Sequence, residues 1–135
     1  MGAGALGCET IKICALAGIC CGPEGLLYCT DNDHIEISNL NRQFLFRNEH
    51  INSPKSLVAC RAGVAMNKDL KVKAYTLKVC EETEDTFDDE FWSSLNGIIA
   101  AIDNIQARLY LDKKAIFHHK AMFESGTMGE IGRAH

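Results

Sequence analysis

Residues 1–8, Met1-Gly2-Ala3-Gly4-Ala5-Leu6-Gly7-Cys8, decide the fold. Gly2, Gly4 and Gly7 stand at the spacing G-x-G-x-x-G, and a helical pattern follows. Glycines at this spacing permit a tight turn and close backbone approach, and the helix behind them offers unpaired N–H groups to an anion. Glycines also serve plain close packing of a helix on a strand, so the loop alone is a weak signal. Its support lies at Asp31, 24 residues past Gly7. Asp31 ends a short apolar run, residues 25–30 (GLLYCT), where a Rossmann-type acid accepts hydrogen bonds from ribose hydroxyls.

Working outward, residues 9–20 carry Ile11, Ile13, Cys14, Leu16 and Ala17 at mostly helical spacing, with Gly18 and Gly22 near the end. Ser53-Pro54 reads as an N-cap followed by proline at the first helical position, which places Lys55 in the first turn of a helix running toward Asn67. Residues 70–79 alternate as a strand, and residues 81–85 form an acidic loop. Residues 88–95 predict a short helix that turns Phe91 and Trp92 to the core. The clearest buried strand is 97–102 (GIIAAI), which also ends in an acid, Asp103, before a helix through Leu111 and Ile116. A last strand at 121–124 leads into Ser125-Gly-Thr-Met-Gly129. This alternation predicts an α/β fold: a doubly wound, Rossmann-like, mostly parallel sheet with helices on both faces.

The 135 residues, 47% hydrophobic, suit one domain spanning 1–135. A formal charge of -4 without a basic block argues against nucleic acid or membrane as a partner. No apolar run approaches the roughly 18 residues of a membrane span, and the N-terminus lacks signal-peptide layout, so the expectation is a soluble intracellular protein. The seven cysteines include no C-x-x-C pair and read as reduced thiols, mostly core residues. The glycine turn comes at once after Met1, where a buried strand is expected to precede it, so the chain reads as truncated at both ends.

The segment 38–47 (SNLNRQFLFR) points to phosphate chemistry. Attack on an ATP phosphate requires charge to be neutralised as pyrophosphate leaves, and Arg42 and Lys55 suit that task. Arginine offers a fixed fork of donors and lysine a mobile point charge.

The strings GAGALGCE, TDNDHIEISNLNRQFLFR, PKS, AIDNIQAR and ESGTMG closely resemble the active adenylation half of the enzymes that activate ubiquitin and its relatives, a ThiF-MoeB-like family. The likeness covers essentially the whole chain, and the stretches 88–92 and FLFR look most like the ubiquitin enzyme. The resemblance implies that the backbone around Ala5 lies against the nucleotide within the Gly2, Gly4 and Gly7 loop, that Asp31 holds the ribose, and that Asn39, Arg42, Gln43 and Lys55 surround the phosphates. Arg42 and Lys55 would be the catalytic cations. Asp103 is expected to bind Mg²⁺, with Asp33 a second acidic contact, because a hard cation prefers carboxylate oxygens. Asn104 should lie beside the nucleotide. A bland role for Asp103 is the N-cap of the following helix.

The implied reaction is ATP- and Mg²⁺-dependent adenylation of a ubiquitin C-terminal carboxylate, ahead of transfer to a cysteine in a separate domain. The implied partners are ubiquitin or a related modifier, a pseudo-symmetric inactive adenylation half, and ubiquitin-conjugating enzymes reached through a ubiquitin-fold domain, in cytoplasm and nucleus. Cys80 has no basic neighbour that marks a lowered-pKa thiol. His118-His119 reads as surface at a helix end, His34, His50 and His135 show no partners, Cys20-Cys21 reads as packing, and Arg47 serves either surface or phosphate. An NAD oxidoreductase explains the glycine loop and Asp31 but leaves Arg42 and Asp103 without a task. A partner half that has lost the phosphate residues is disfavoured by Arg42, Lys55 and Asp103. Adenylating enzymes of thiamine or molybdopterin synthesis usually carry paired C-x-x-C motifs, absent here.

Overall fold

The computed structural model describes residues 1–126 and 133–134. Met128, Gly129 and Thr127 of the ESGTMG string, and His135, lie outside the described residues. The chain packs as two compact units, one of Gly2–Leu77 and one of Met1 with the chain from Lys78 onward.

In the first unit the glycine loop runs straight into α1, Ala5–Ala17. The helix begins four residues before the sequence suggests, because Gly4 serves as its N-cap with φ -82°. It ends where Gly18 turns left-handed at φ 76° and returns its N–H to the Cys14 carbonyl, a conformation that costs a glycine little. Strand β1, Leu27–Thr30, pairs in parallel with β2, Val72–Tyr75, in the register Leu27↔Val72 to Thr30↔Tyr75. Helix α2, Lys55–Met66, makes the crossover that parallel strands require. Pro54, not Ser53, is its N-cap, and no side chain caps it. The β2 ladder is shorter than the alternation 70–79 predicts, although the Thr30 hydroxyl still donates to the Leu77 carbonyl beyond it.

Helices α1 and α2 meet at Gly63, where an added Cβ would lie 2.7 Å from Ile11 Cγ2 and 3.0 Å from Leu70 Cδ2. Glycine's role in close packing therefore falls on α2. Beneath them Ala3, Cys8, Ile35, Phe46, Val58 and Ala59 form the core with Cys29 and Cys60.

The second unit begins with a single 3-10 turn, Glu81–Thr83, then α3, Asp89–Ser94. Asp88 caps α3 by accepting the Phe91 N–H at 2.9 Å, which satisfies one of the unpaired donors of the first turn. Trp92 is fully buried and donates Nε1–H to the Phe87 carbonyl at 2.9 Å; Phe91 beside it is half-buried. Strand β3, Gly97–Ala100, pairs in parallel with β4, Ala121–Gly126, through the crossover helix α4, Ile105–Phe117. The Met1 backbone lies along β3, bonded to Ile99 and Ala101. β5, Arg133–Ala134, adds an antiparallel edge to β4 that the sequence did not signal.

His118 is not a surface residue as its position suggests. Its side chain is 6% exposed, its ring stacks on Trp92 at 6.4 Å, and Nε2 lies 3.4 Å from an Asp89 carboxylate oxygen. His50 likewise has a partner, its Nδ1 accepting the Arg47 N–H. The Arg47 guanidinium donates to the carbonyls of Phe44 and Phe46. No helix among the described residues is long and apolar enough to cross a membrane.

Candidate functional site

Gly2 adopts φ 96°, a backbone region that an L side chain seldom enters, so this position of the loop needs glycine. Gly4 does not need it for packing. A Cβ there would meet only Gln43 Nε2, at 3.7 Å, an ordinary contact. Behind Gly4 the first intrahelical bond is Cys8 N–H to the Gly4 carbonyl, and neither a side-chain cap nor an acid serves the first turn. The helix start around Ala5 and Gly7 thus presents backbone donors without an acceptor among the described residues.

Ala3 is gripped from two sides. Its N–H donates to Asp31 Oδ2 at 2.8 Å, and its carbonyl accepts the Cys8 thiol at 3.8 Å. Burial pushes the Cys8 thiol up to about 11, so it stays a donor at neutral pH. Asp31 Oδ1 accepts the Asp33 N–H at 2.8 Å. Each oxygen of Asp31 holds one backbone donor and keeps a second acceptor position, which suits a ligand hydroxyl.

Lys55 opens α2 and its side chain is 9% exposed. Among the described residues its one acidic contact is Asp33 Oδ2 at 3.9 Å, on a carboxylate that is itself 66% exposed, and its ammonium makes no hydrogen bond. A lysine so enclosed with so little partnering asks for a further anion, because a buried charge left uncompensated is costly. The main chain fixes its place, since Lys55 N–H donates to the Asp33 carbonyl.

Between loop and lysine lies the 38–47 segment. Asn39 is buried and its side-chain oxygen accepts the Glu36 N–H at 2.9 Å, so half of its amide serves the turn. Gln43, 4% exposed, donates its N–H to the Asn39 carbonyl, while its side-chain Oε1 is buried without a partner. Arg42 is exposed; one guanidinium nitrogen donates to the Ser38 carbonyl at 2.8 Å and leaves the rest of the fork available.

Asp103 and Asn104 stand in the second unit, after β3. Asn104 is the N-cap of α4, its Oδ1 accepting the Ala107 N–H at 3.2 Å, and its backbone carbonyl accepts the Arg108 N–H. The cap that the sequence allowed for Asp103 therefore belongs to its neighbour. Asp103 is exposed and makes no hydrogen bond or ion pair among the described residues. No group of three histidine, cysteine or acidic side chains gathers among them either, so Asp33 and Asp103 each lack a preformed ligand cluster.

A family model described as the ThiF family matches residues 1–134. The chain belongs to the ThiF family. It is 50% identical over 132 residues to the ubiquitin-like modifier-activating enzyme 1 of Dictyostelium discoideum and 51% identical over 134 residues to the ubiquitin-activating enzyme E1 1 of Candida albicans. Both matches cover 98% of this chain and 13% of the relative, so the chain spans about an eighth of their length. Among solved structures, E. coli MccB with ATP superposes at a TM-score of 0.78 and 23% identity, across 93% of this chain and 35% of that one. That likeness shows the Rossmann-like fold.

One polar residue of this ThiF-family chain escaped the sequence reading. Ser56, next to Lys55, is fully buried and its hydroxyl has no partner among the described residues. Its one sequence signal is its place in the string PKS, beside Lys55.

Proposed function

We propose that this chain forms the nucleotide side of an adenylating enzyme for ubiquitin or a closely related modifier, in which the modifier's C-terminal glycine carboxylate attacks the α-phosphate of ATP. The products are an acyl-adenylate and pyrophosphate. The observation that carries the reading is Lys55, an enclosed ammonium whose one acidic contact among the described residues is at 3.9 Å, on the same unit as the glycine loop and Asp31. ThiF membership and the names of relatives about half identical in sequence support the reaction class and the modifier.

The donor set fits an anionic nucleotide. The bare start of α1 and Ala5 would face phosphate oxygens, and Asp31 would accept from ribose hydroxyls. Arg42 and Lys55 would stabilise charge on the phosphates, with Asn39 and Gln43 orienting them and the orphaned Gln43 Oε1 taking a donor from the nucleotide or its water. Asn104 would lie beside the nucleotide while its side chain caps α4. The free carboxylate of Asp103 suits Mg²⁺, with Asp33 a second contact that would have to be shared with Lys55. Mg²⁺, when bound, would neutralise phosphate charge as pyrophosphate departs.

Proton transfer has little part in the step. A carboxylate is already ionised near neutral pH, so the residues of this chain contribute positioning and electrostatic stabilisation. Transfer to a cysteine, and contacts with an inactive adenylation half and with conjugating enzymes, would fall to other segments of a longer enzyme. The proposed compartments are the cytoplasm and nucleus.

In the complete enzyme, Lys55→Ala and Asp103→Ala should each lower ATP–pyrophosphate exchange by about a hundredfold or more, the scale seen when one transition-state donor is lost, with little change in melting temperature. Unchanged exchange in both variants would sink the reading.

A further inference from the structure

The proposed reaction gives Arg108 no task, yet this residue of the first turn of α4 grips the main chain on both sides of Asp103. Its Nε donates to the Ile102 carbonyl at 2.7 Å, and its backbone N–H donates to the Asn104 carbonyl at 3.1 Å. The guanidinium is held in turn by β4, where a Glu124 carboxylate oxygen lies 3.3 Å from Nη1. Glu124 stands opposite Ala100, the last residue of β3, in the parallel register. Both strands and the helix therefore meet at one side chain.

The ion pair is enclosed. Side-chain exposure is 22% for Arg108 and 14% for Glu124, so salt screens it less than a surface pair. Asp103 is the reverse, exposed and without a hydrogen bond or ion pair among the described residues. Its carboxylate takes its place from the backbone alone. The Ile102 carbonyl and the Asp103 nitrogen share one planar peptide, so a donor fixed on that carbonyl fixes the plane from which Asp103 departs. A charged donor does this more firmly than a neutral one.

We propose that Arg108, anchored by Glu124, is a positioning residue that sets the Asp103 backbone so that its carboxylate meets the Mg²⁺ of bound ATP. The inference rests on the adenylation reading, in which Asp103 takes the metal. Mg²⁺ tolerates little departure from octahedral geometry, so a carboxylate on an unheld peptide would have to be ordered as the metal binds. Lysine cannot stand in for the arginine. It keeps the charge but is a point donor at the end of its stem, with nothing at the Nε position to hold the Ile102 carbonyl.

The test is Arg108→Lys in the complete enzyme, read first as Mn²⁺ affinity by electron paramagnetic resonance with a non-hydrolysable ATP analogue present. Mn²⁺ should bind about tenfold more weakly, the scale on which outer-shell partners of metal ligands act. Half-maximal ATP–pyrophosphate exchange should need correspondingly more Mg²⁺, with the rate largely restored at saturation. Glu124→Gln should shift both readings the same way by less, and amide exchange across residues 101–104 should quicken in both variants. In an Asp103→Ala background Arg108→Lys should add nothing to the Mn²⁺ constant, because a residue that acts through a carboxylate has no effect once it is gone. If Asp103→Ala weakens Mn²⁺ binding while Arg108→Lys and Glu124→Gln leave it unchanged, the positioning role is overturned and the adenylation reading stands. If Asp103→Ala itself leaves Mn²⁺ binding unchanged, the metal does not belong to that residue and the inference falls with that assignment. An Arg108→Lys enzyme that loses active protein but keeps its Mn²⁺ constant, or whose effect adds in full to that of Asp103→Ala, would make the ion pair a fold contact and overturn the inference.

Discussion

Two regions of this molecule each set an acid at a strand's end and the start of a helix, and they are built in opposite ways. After β1 the acid Asp31 reaches back to hold the Ala3 and Asp33 amides, and the helix α1 that follows the glycine loop starts without any side-chain cap. After β3 the acid Asp103 has no partner among the described residues, and α4 is capped by Asn104. In the first region the carboxylate is committed and the helix start is open. In the second the helix start is closed and the carboxylate is open. Each leaves one charged or dipolar element unserved by protein, and those two elements are where an anion and a cation would find donors.

The sharpest test of this contrast is Asp31→Ala. Removing it deprives two backbone N–H groups of a charged acceptor at 2.8 Å, and since the carboxylate is half-exposed the loss should be about 2 kcal/mol rather than the full value of two buried bonds. Urea denaturation would measure it, and faster amide exchange at Ala3 would localise it. A loss under about 0.5 kcal/mol, the range of an ordinary surface change, would mean the grip is not structural.

The same loop carries a pH dependence. The Cys8 thiol is raised above its ordinary 9.0 to about 11 in the fold, chiefly by burial. The unfolded chain therefore releases this proton first, so its contribution to stability is whole below pH 9 and is lost as pH rises toward 11. Cys8→Ala should flatten that alkaline limb.

Asn104→Ala ranks next, at about 1 kcal/mol for a lost cap, read as a lower denaturation midpoint with unchanged slope. Its counterpart is Gly4→Ser at the open helix start. The site has φ -82° and room for a Cβ, so serine should be neutral or stabilising by a few tenths of a kcal/mol. It should nevertheless weaken nucleotide binding in calorimetry, because its hydroxyl would compete for the open donors. Stronger ATP binding by the serine variant would contradict the open-start reading.

Local chemistry made half of this contrast legible. An acid after an apolar run, three spaced glycines and a lysine after proline are patterns whose meaning is carried by neighbours along the chain. The α/β alternation and the place of Lys55 in its helix were readable for that reason. Features that depend on a distant partner were not. α1 starts at Ala5 although glycines read as loop, because Gly4 caps it. Asn104 rather than Asp103 takes the cap, a choice between adjacent residues that no periodicity decides. His118 is buried by Trp92, 26 positions away in sequence, and the close approach of Ile11 to Gly63 spans 52. The Ser56 hydroxyl and Gln43 Oε1 lack partners among the described residues, a state set by the surrounding packing that no neighbour along the chain announces.

The smallest expected effect on stability is the most informative. Asp103 is exposed and bonded to nothing described, so Asp103→Ala should change the unfolding free energy by less than about 0.5 kcal/mol. Asp31→Ala and Asp103→Ala therefore form a pair with opposite profiles: the first should lose stability and nucleotide affinity together, the second should lose only Mg²⁺-dependent function. Measuring ATP–pyrophosphate exchange in the complete enzyme against Mg²⁺ concentration separates the two. Asp103→Ala should require more Mg²⁺ for half-maximal rate, whereas a variant weakened through folding alone would keep its Mg²⁺ dependence and lose active protein. An Asp103 variant with wild-type stability and a wild-type Mg²⁺ curve would leave the open carboxylate without a function and reduce the contrast between the two regions to a difference in capping.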